Sequence, residues 1–67
     1  MKLSIRNQLP GTVKSVTLGA VMAEVVVDVD GKEMTAEITR GSAESLQLAE
    51  GNQVMVLIKS TDVMIGK

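Results

Sequence analysis

Three short polar stretches interrupt an otherwise apolar chain of 67 residues: Ser4, Arg6 and Asn7 near its start, Thr39 and Ser42 past its middle, and Lys59, Ser60 and Thr61 near its end. Each offers hydrogen-bond donors, and none contains a carboxylate. One guanidinium, one ammonium and several hydroxyls form the set that a tetrahedral oxyanion requires, because the cations offset its charge while single hydroxyls address single oxygens. The missing acceptor sets a selectivity. Protonated phosphate must donate its own hydrogen, whereas a fully deprotonated dianion such as molybdate, tungstate or sulfate takes donors only. The residue types alone leave a plainer reading open, in which Thr39 and Ser42 cap a helix and Asn7 and Gln8 satisfy backbone groups in a turn before Pro10-Gly11.

Other chemistries fit poorly. The chain has no His and no Cys, so the usual pairs of nucleophile and general base cannot be built, and no activating base stands near any serine; an enzyme is not expected. The same absences remove disulfides and make a structural zinc site a poor candidate. The stretch DVDGKE, Asp28 to Glu33, resembles the opening of a calcium loop. It nevertheless places Glu33 where that loop needs glycine and Thr39 where it needs a bidentate glutamate, so it reads as an acidic hairpin tip. Nucleic acid is disfavoured because Phe, Tyr and Trp are absent and the net charge is −1, while base stacking on aromatics supplies about 1–3 kcal/mol per base to single-strand binders. Nor does the charge favour an anionic membrane surface. No apolar run is long enough for a signal peptide or a membrane span, and with no cysteine the expectation is a cytoplasmic protein.

The elements that must position the donors are legible as alternation. Ala23, Val25, Val27 and Val29 occupy every second position, which means strand. Asp30-Gly31 predicts a type I′ hairpin turn, and Met34, Ala36 and Ile38 mark the return strand. Upstream, TVKSVTL is a further β-rich run, turning near Gly19-Ala20. ITRGSAESLQLAEG breaks the alternation and predicts one short helix, capped by Thr39 or Ser42 and stopped by Gly51. In QVMVLIKS both alternating sets, Val54, Val56 and Ile58 and then Met55 and Leu57, are apolar, which predicts burial on both faces. So small a chain cannot cover both faces of a strand alone, and a single domain over residues 1–67 has a marginal core; both points predict self-association. With the polar opening taken as a first strand, the order fits an all-β fold, an OB-like five-stranded Greek-key barrel with one short helix; a small SH3-like barrel is the second choice.

A family resemblance covers essentially the whole chain. SIRNQLPGTV resembles the Ser-Ala-Arg-Asn-Gln…Gly opening of the molbindin, or Mop, family; EITRGSAESLQLAEGNQV resembles its Ile-Thr…Ser helix start followed by Leu-Gly-Leu-x-x-Gly, and VLIKSTDVMI its Ile-Lys-Ser/Ala…Val ending. The resemblance implies an OB-like fold, a homohexamer built as a trimer of dimers, and cytoplasmic binding of molybdate and tungstate at subunit interfaces through hydrogen bonds rather than metal–ligand bonds. It implies that Ser4, Arg6, Thr39, Ser42, Lys59 and Ser60 contact the oxyanion, some from a neighbouring chain. A second, mainly backbone pocket is implied around Gly19, Ala20, Val21 and Met22. Three positions depart from the pattern: Ile5 stands where a small residue is usual, and Gln47 and Gln53 where the family often has other residues. Storage of the anion is the leading expectation, with an oligomeric delivery or interaction module and, behind it, an OB-type single-strand binder as alternatives.

Overall fold

The computed structural model describes residues 2–67. Strand β1 spans Asn7–Leu18, β2 Met22–Val29 and β3 Lys32–Thr39; helix α1 covers Arg40–Ser45, β4 covers Gln53–Ile58, and a 3-10 turn follows at Ser60–Asp62. The strands form one antiparallel sheet in the order β3-β2-β1-β4.

Four strands, not the expected five, result because the polar opening and TVKSVTL are one continuous element. Pro10 and Gly11 read as breakers, yet both lie inside β1. Pro10 falls in the half of β1 that pairs with β4 alone, since pairing with β2 begins at Thr12. One side of the strand is an edge there, so a missing N–H is tolerated. Gly11 allows close approach where β1 passes from one partner to the other: a Cβ at this position would lie 2.6 Å from Val27 Cγ1 and 2.8 Å from the Asp28 carbonyl oxygen. Immediately beyond, the register slips between Val13 and Ser15, leaving Lys14 as the extra residue of a bulge. Val13 is buried there, and its N–H donates to the Asn52 carbonyl at 2.9 Å while its own carbonyl accepts from the Gly51 N–H. Sheet and helix agree with a mostly β fold, but β3 and β4 remain outer strands and the single chain does not close a barrel.

The bulged Lys14 reaches Glu33 on β3 at 2.6 Å. The hydrogen bond that Lys14 donates to the Glu33 carboxylate, then the charge of that carboxylate, holds the lysine above its usual range. What this exposed pair adds is present at neutral pH and is lost as pH climbs through the raised value.

The hairpin between β2 and β3 is the one the sequence predicts, with Asp30 at φ 53° and Gly31 at φ 87°. The core is sparse. Val13, Ala23, Val25, Val27 and Ala43 are buried, and Val16, Val29, Ala36, Ile38, Leu48, Val54 and Val56 pack partly against them. Strand β4 departs from expectation. Val54, Val56 and Ile58 are half-buried, but Met55 and Leu57 are 41% and 38% exposed. The reason is that the helix packs mainly at β2 and β3, which leaves the Met55 and Leu57 side of β4 thinly covered.

Thr39 is the cap of α1: its hydroxyl oxygen accepts from the Ser42 N–H at 3.1 Å. Replacing it by alanine is expected to lower stability by about 1 kcal/mol, which thermal unfolding of Thr39→Ala beside Thr39→Ser checks, the serine keeping most of the loss back. The helix stops earlier than Gly51. Leu48 N–H bonds the Ala43 carbonyl and Gln47 N–H the Glu44 carbonyl, a Schellman closure with Gln47 in the left-handed region at φ 52°. Residue type gave no warning of this. Gln47→Gly should therefore stabilise by about 0.5–1 kcal/mol, the relief of strain exceeding the added freedom of the unfolded chain; an unchanged or lower unfolding midpoint would contradict it.

Candidate oxyanion site

The β1–β4 ladder ends at the pair Asn7 and Ile58. The Asn7 side-chain amide donates to the Ile58 carbonyl at 3.1 Å, and that of Gln8 to the Ile5 carbonyl at 2.6 Å. Both amides thus take the plainer role and fasten the chain's opening across the end of β4. The consequence lies one residue further out. Arg6 precedes β1 and Lys59 follows β4 at this same end of the sheet, with Ser4 and Ser60 beyond them, all exposed. Among the described residues no hydrogen-bond partner meets these four side chains, and no carboxylate pairs with either cation. Two cations that leave the same end of the sheet without a counter-charge favour an anion there.

The second donor group lies at the far end of the sheet. Thr39 pairs with Met22, and Ala23 with Leu18 at the end of β1. Thr39 Oγ1 donates to Ser42 Oγ at 2.8 Å, which leaves the Ser42 hydroxyl hydrogen for an outside acceptor. The turn at Gly19–Met22 adjoins this group. Gly19 N–H donates to the Met22 carbonyl at 2.7 Å, so it is withdrawn from the implied backbone pocket. Ala20 and Val21 retain N–H groups that meet no acceptor among the described residues. Arg40, which the sequence reading did not single out, holds this turn: its N–H donates to the Val21 carbonyl at 2.8 Å and its guanidinium to the Gly19 carbonyl at 3.3 Å, while Glu44 lies 3.4 Å from its Nε. The available signal was a cation directly after a capping threonine.

The six expected contacts therefore fall into two clusters, Ser4, Arg6, Lys59 and Ser60 at one end of β1 and Thr39 and Ser42 at the other. Twelve residues separate the ends, about 36 Å for a straight strand, and the molecule is 35 Å long. One small anion does not reach both clusters of one chain. A groove of about 510 Å³ beside the bulge is a poor place for an anion because Asp28 and Glu50 line it together with Lys14.

The fold defines a class, a small mostly β domain made of a four-stranded antiparallel sheet and one short helix. Residues 3–65 match the family model described as the TOBE domain. Molybdenum-pterin-binding protein 3 of Clostridium pasteurianum is 47% identical over 66 residues, 97% of each chain. A molybdate binding protein from Sporomusa ovata superposes with a TM-score of 0.96 at 43% identity, each chain covered completely. The cytoplasmic molybdate-binding protein ModG, solved with molybdate bound and discussed in terms of cooperative binding, matches with a TM-score of 0.86 at 44% identity over 90% of this chain and 43% of its own. The chain belongs to the TOBE domain family, among the molybdenum-pterin-binding proteins, or molbindins.

Proposed function

We propose that the protein binds molybdate and tungstate in the cytoplasm and stores them at boundaries between its own copies, in a homohexamer arranged as a trimer of dimers. What supports this reading is the end of the β1–β4 ladder at Asn7 and Ile58, one residue short of Arg6 and Lys59, and the fact that among the described residues no carboxylate pairs with either cation. Full-length relatives named for molybdate and for molybdenum-pterin support the choice of ligand. The separation of the two clusters supports an interface: Arg6 and Lys59 of one chain supply charge, Ser4 and Ser60 orient oxygens, and Thr39 and Ser42 of a neighbour complete the shell. Ala20 and Val21, with Arg40 beside them, would form the smaller second pocket. The five-stranded OB-like barrel is then a property of the assembly, the single chain supplying four strands. No protein atom bonds the metal, and the chain performs no catalysis.

Because binding at a boundary couples ligand to assembly, each strengthens the other. Native mass spectrometry of the protein with and without molybdate tests the reading, with calorimetric titrations of molybdate, tungstate, sulfate and phosphate. A hexamer that gains several anion masses and rejects phosphate is expected. A single chain or dimer that takes up nothing overturns it.

A further inference from the structure

We propose that Arg40 is the charged group of the smaller pocket at the Gly19–Met22 turn, and that Glu44 competes with the anion for its guanidinium. The inference rests on the oxyanion reading, and it gives a cation and a competitor to a pocket otherwise made of backbone donors.

The turn needs a charge. Ala20 and Val21 lie between β1 and β2 with N–H groups that meet no acceptor among the described residues, and the side chains of Leu18, Val21 and Met22 around them are exposed and apolar. Neutral N–H groups orient oxygens but leave most of a dianion's charge uncompensated. Arg40 is the cation that the fold brings here. Its backbone N–H donates to the Val21 carbonyl at 2.8 Å, which fixes the root of the side chain beside the turn, and its Nη1 donates to the Gly19 carbonyl at 3.3 Å.

The guanidinium is loosely held. Its bond to Gly19 is longer than the usual N–H···O distance, and Glu44 Oε1, one helical turn on, stands 3.4 Å from Nε, again a long contact. Nη2 meets no acceptor among the described residues. A planar fork of N–H donors that matches an oxyanion is therefore largely open. Glu44 is exposed, so its pairing adds little to stability. A carboxylate beside the cation nevertheless opposes any second negative charge that arrives there. Among the described residues Arg6 and Lys59 meet no such neighbour, so the turn pocket fills after the site they serve.

Nuclear magnetic resonance and calorimetric titration of the full chain with molybdate test this. In the wild type the Ala20 and Val21 amide resonances should shift late, after those of Arg6 and Lys59. Arg40→Gln should weaken the late step by about 10- to 100-fold, far more than the early one, and Arg40→Lys should keep most of it. Glu44→Gln separates a ligand role from a structural one. If the pair only braced the turn, loss of the carboxylate would loosen the pocket and weaken the late step, whereas removal of a competitor should tighten it a few-fold. Ala20 and Val21 resonances that stay in place at saturating molybdate, an Arg40→Gln protein that titrates like the wild type, or a Glu44→Gln protein that binds no more tightly overturns the inference. Failure of the oxyanion reading looks different. A wild type that takes up no molybdate removes both, while Arg40-dependent shifts at Ala20 and Val21 in a protein indifferent to Arg6→Ala and Lys59→Ala remove the shared site alone.

Discussion

Replacing Arg6 by alanine is expected to weaken molybdate binding by about 10- to 100-fold, and Lys59→Ala by a similar factor, since a charge-assisted hydrogen bond contributes about 1.5–3 kcal/mol. Hydroxyl deletions such as Ser60→Ala should cost only a few-fold, as befits a neutral donor. Arg6→Lys should fall between, because an ammonium keeps the charge but loses the planar fork. Stability should hardly move. Both cations are exposed and meet no partner among the described residues, and surface changes of this kind stay within about 0.5 kcal/mol. Calorimetric titration, with thermal unfolding alongside, reads both effects. If Arg6→Ala and Lys59→Ala each bound as tightly as the wild type, the site would have to be placed elsewhere.

Gly11→Ala should produce the largest loss of stability, about 3 kcal/mol. A methyl group there meets Val27 Cγ1 at 2.6 Å, the Asp28 carbonyl oxygen at 2.8 Å and Val29 Cγ2 at 3.1 Å. The side chains could turn, but the carbonyl belongs to β2 and holds the sheet. At about 4–8 °C per kcal/mol for a domain of this size, the midpoint should fall by more than 10 °C. Gly31→Ala offers a contrast, since its methyl group meets nothing within 4 Å and its cost is the positive φ alone; it should lose only about 1 kcal/mol. Circular dichroism melts of the two variants decide the matter. A Gly11→Ala protein melting within a few degrees of the wild type would mean that the crossing at Gly11 is not tightly packed.

What the sequence disclosed and what it concealed divide along physical lines. Local chemistry was readable: alternation at Ala23 to Val29 marked β2, Asp30-Gly31 marked the turn, and Thr39 and Ser42 announced the helix start, with Thr39 proving to be the cap. Features set by pairing partners were not. Pro10 looks like a strand end until β1 is known to have only one neighbour there, and that depends on β4, more than forty positions further along the chain. Gln47 carries a left-handed backbone that its type does not advertise; a glycine there, as in the family pattern, would have marked the stop. Donor types at Ser4, Arg6, Lys59 and Ser60 pointed to an anion, but their grouping apart from Thr39 and Ser42 required the register. Arg40 was overlooked because its guanidinium and its backbone N–H each act on a carbonyl of a turn about twenty residues earlier.

The division of donors between the two ends of β1 bears on how much anion a cell could hold. On the proposed reading, a lone chain would own two unfinished halves and no whole site. If two chains met about a two-fold axis as proposed, each half would find its complement and sites would appear in pairs. Capacity then grows with the square of protein concentration while chains are scarce, and in simple proportion once assembly is complete. A reservoir of the proposed kind would have a threshold: scarce protein would leave molybdate free, and only abundant protein would begin to withdraw it.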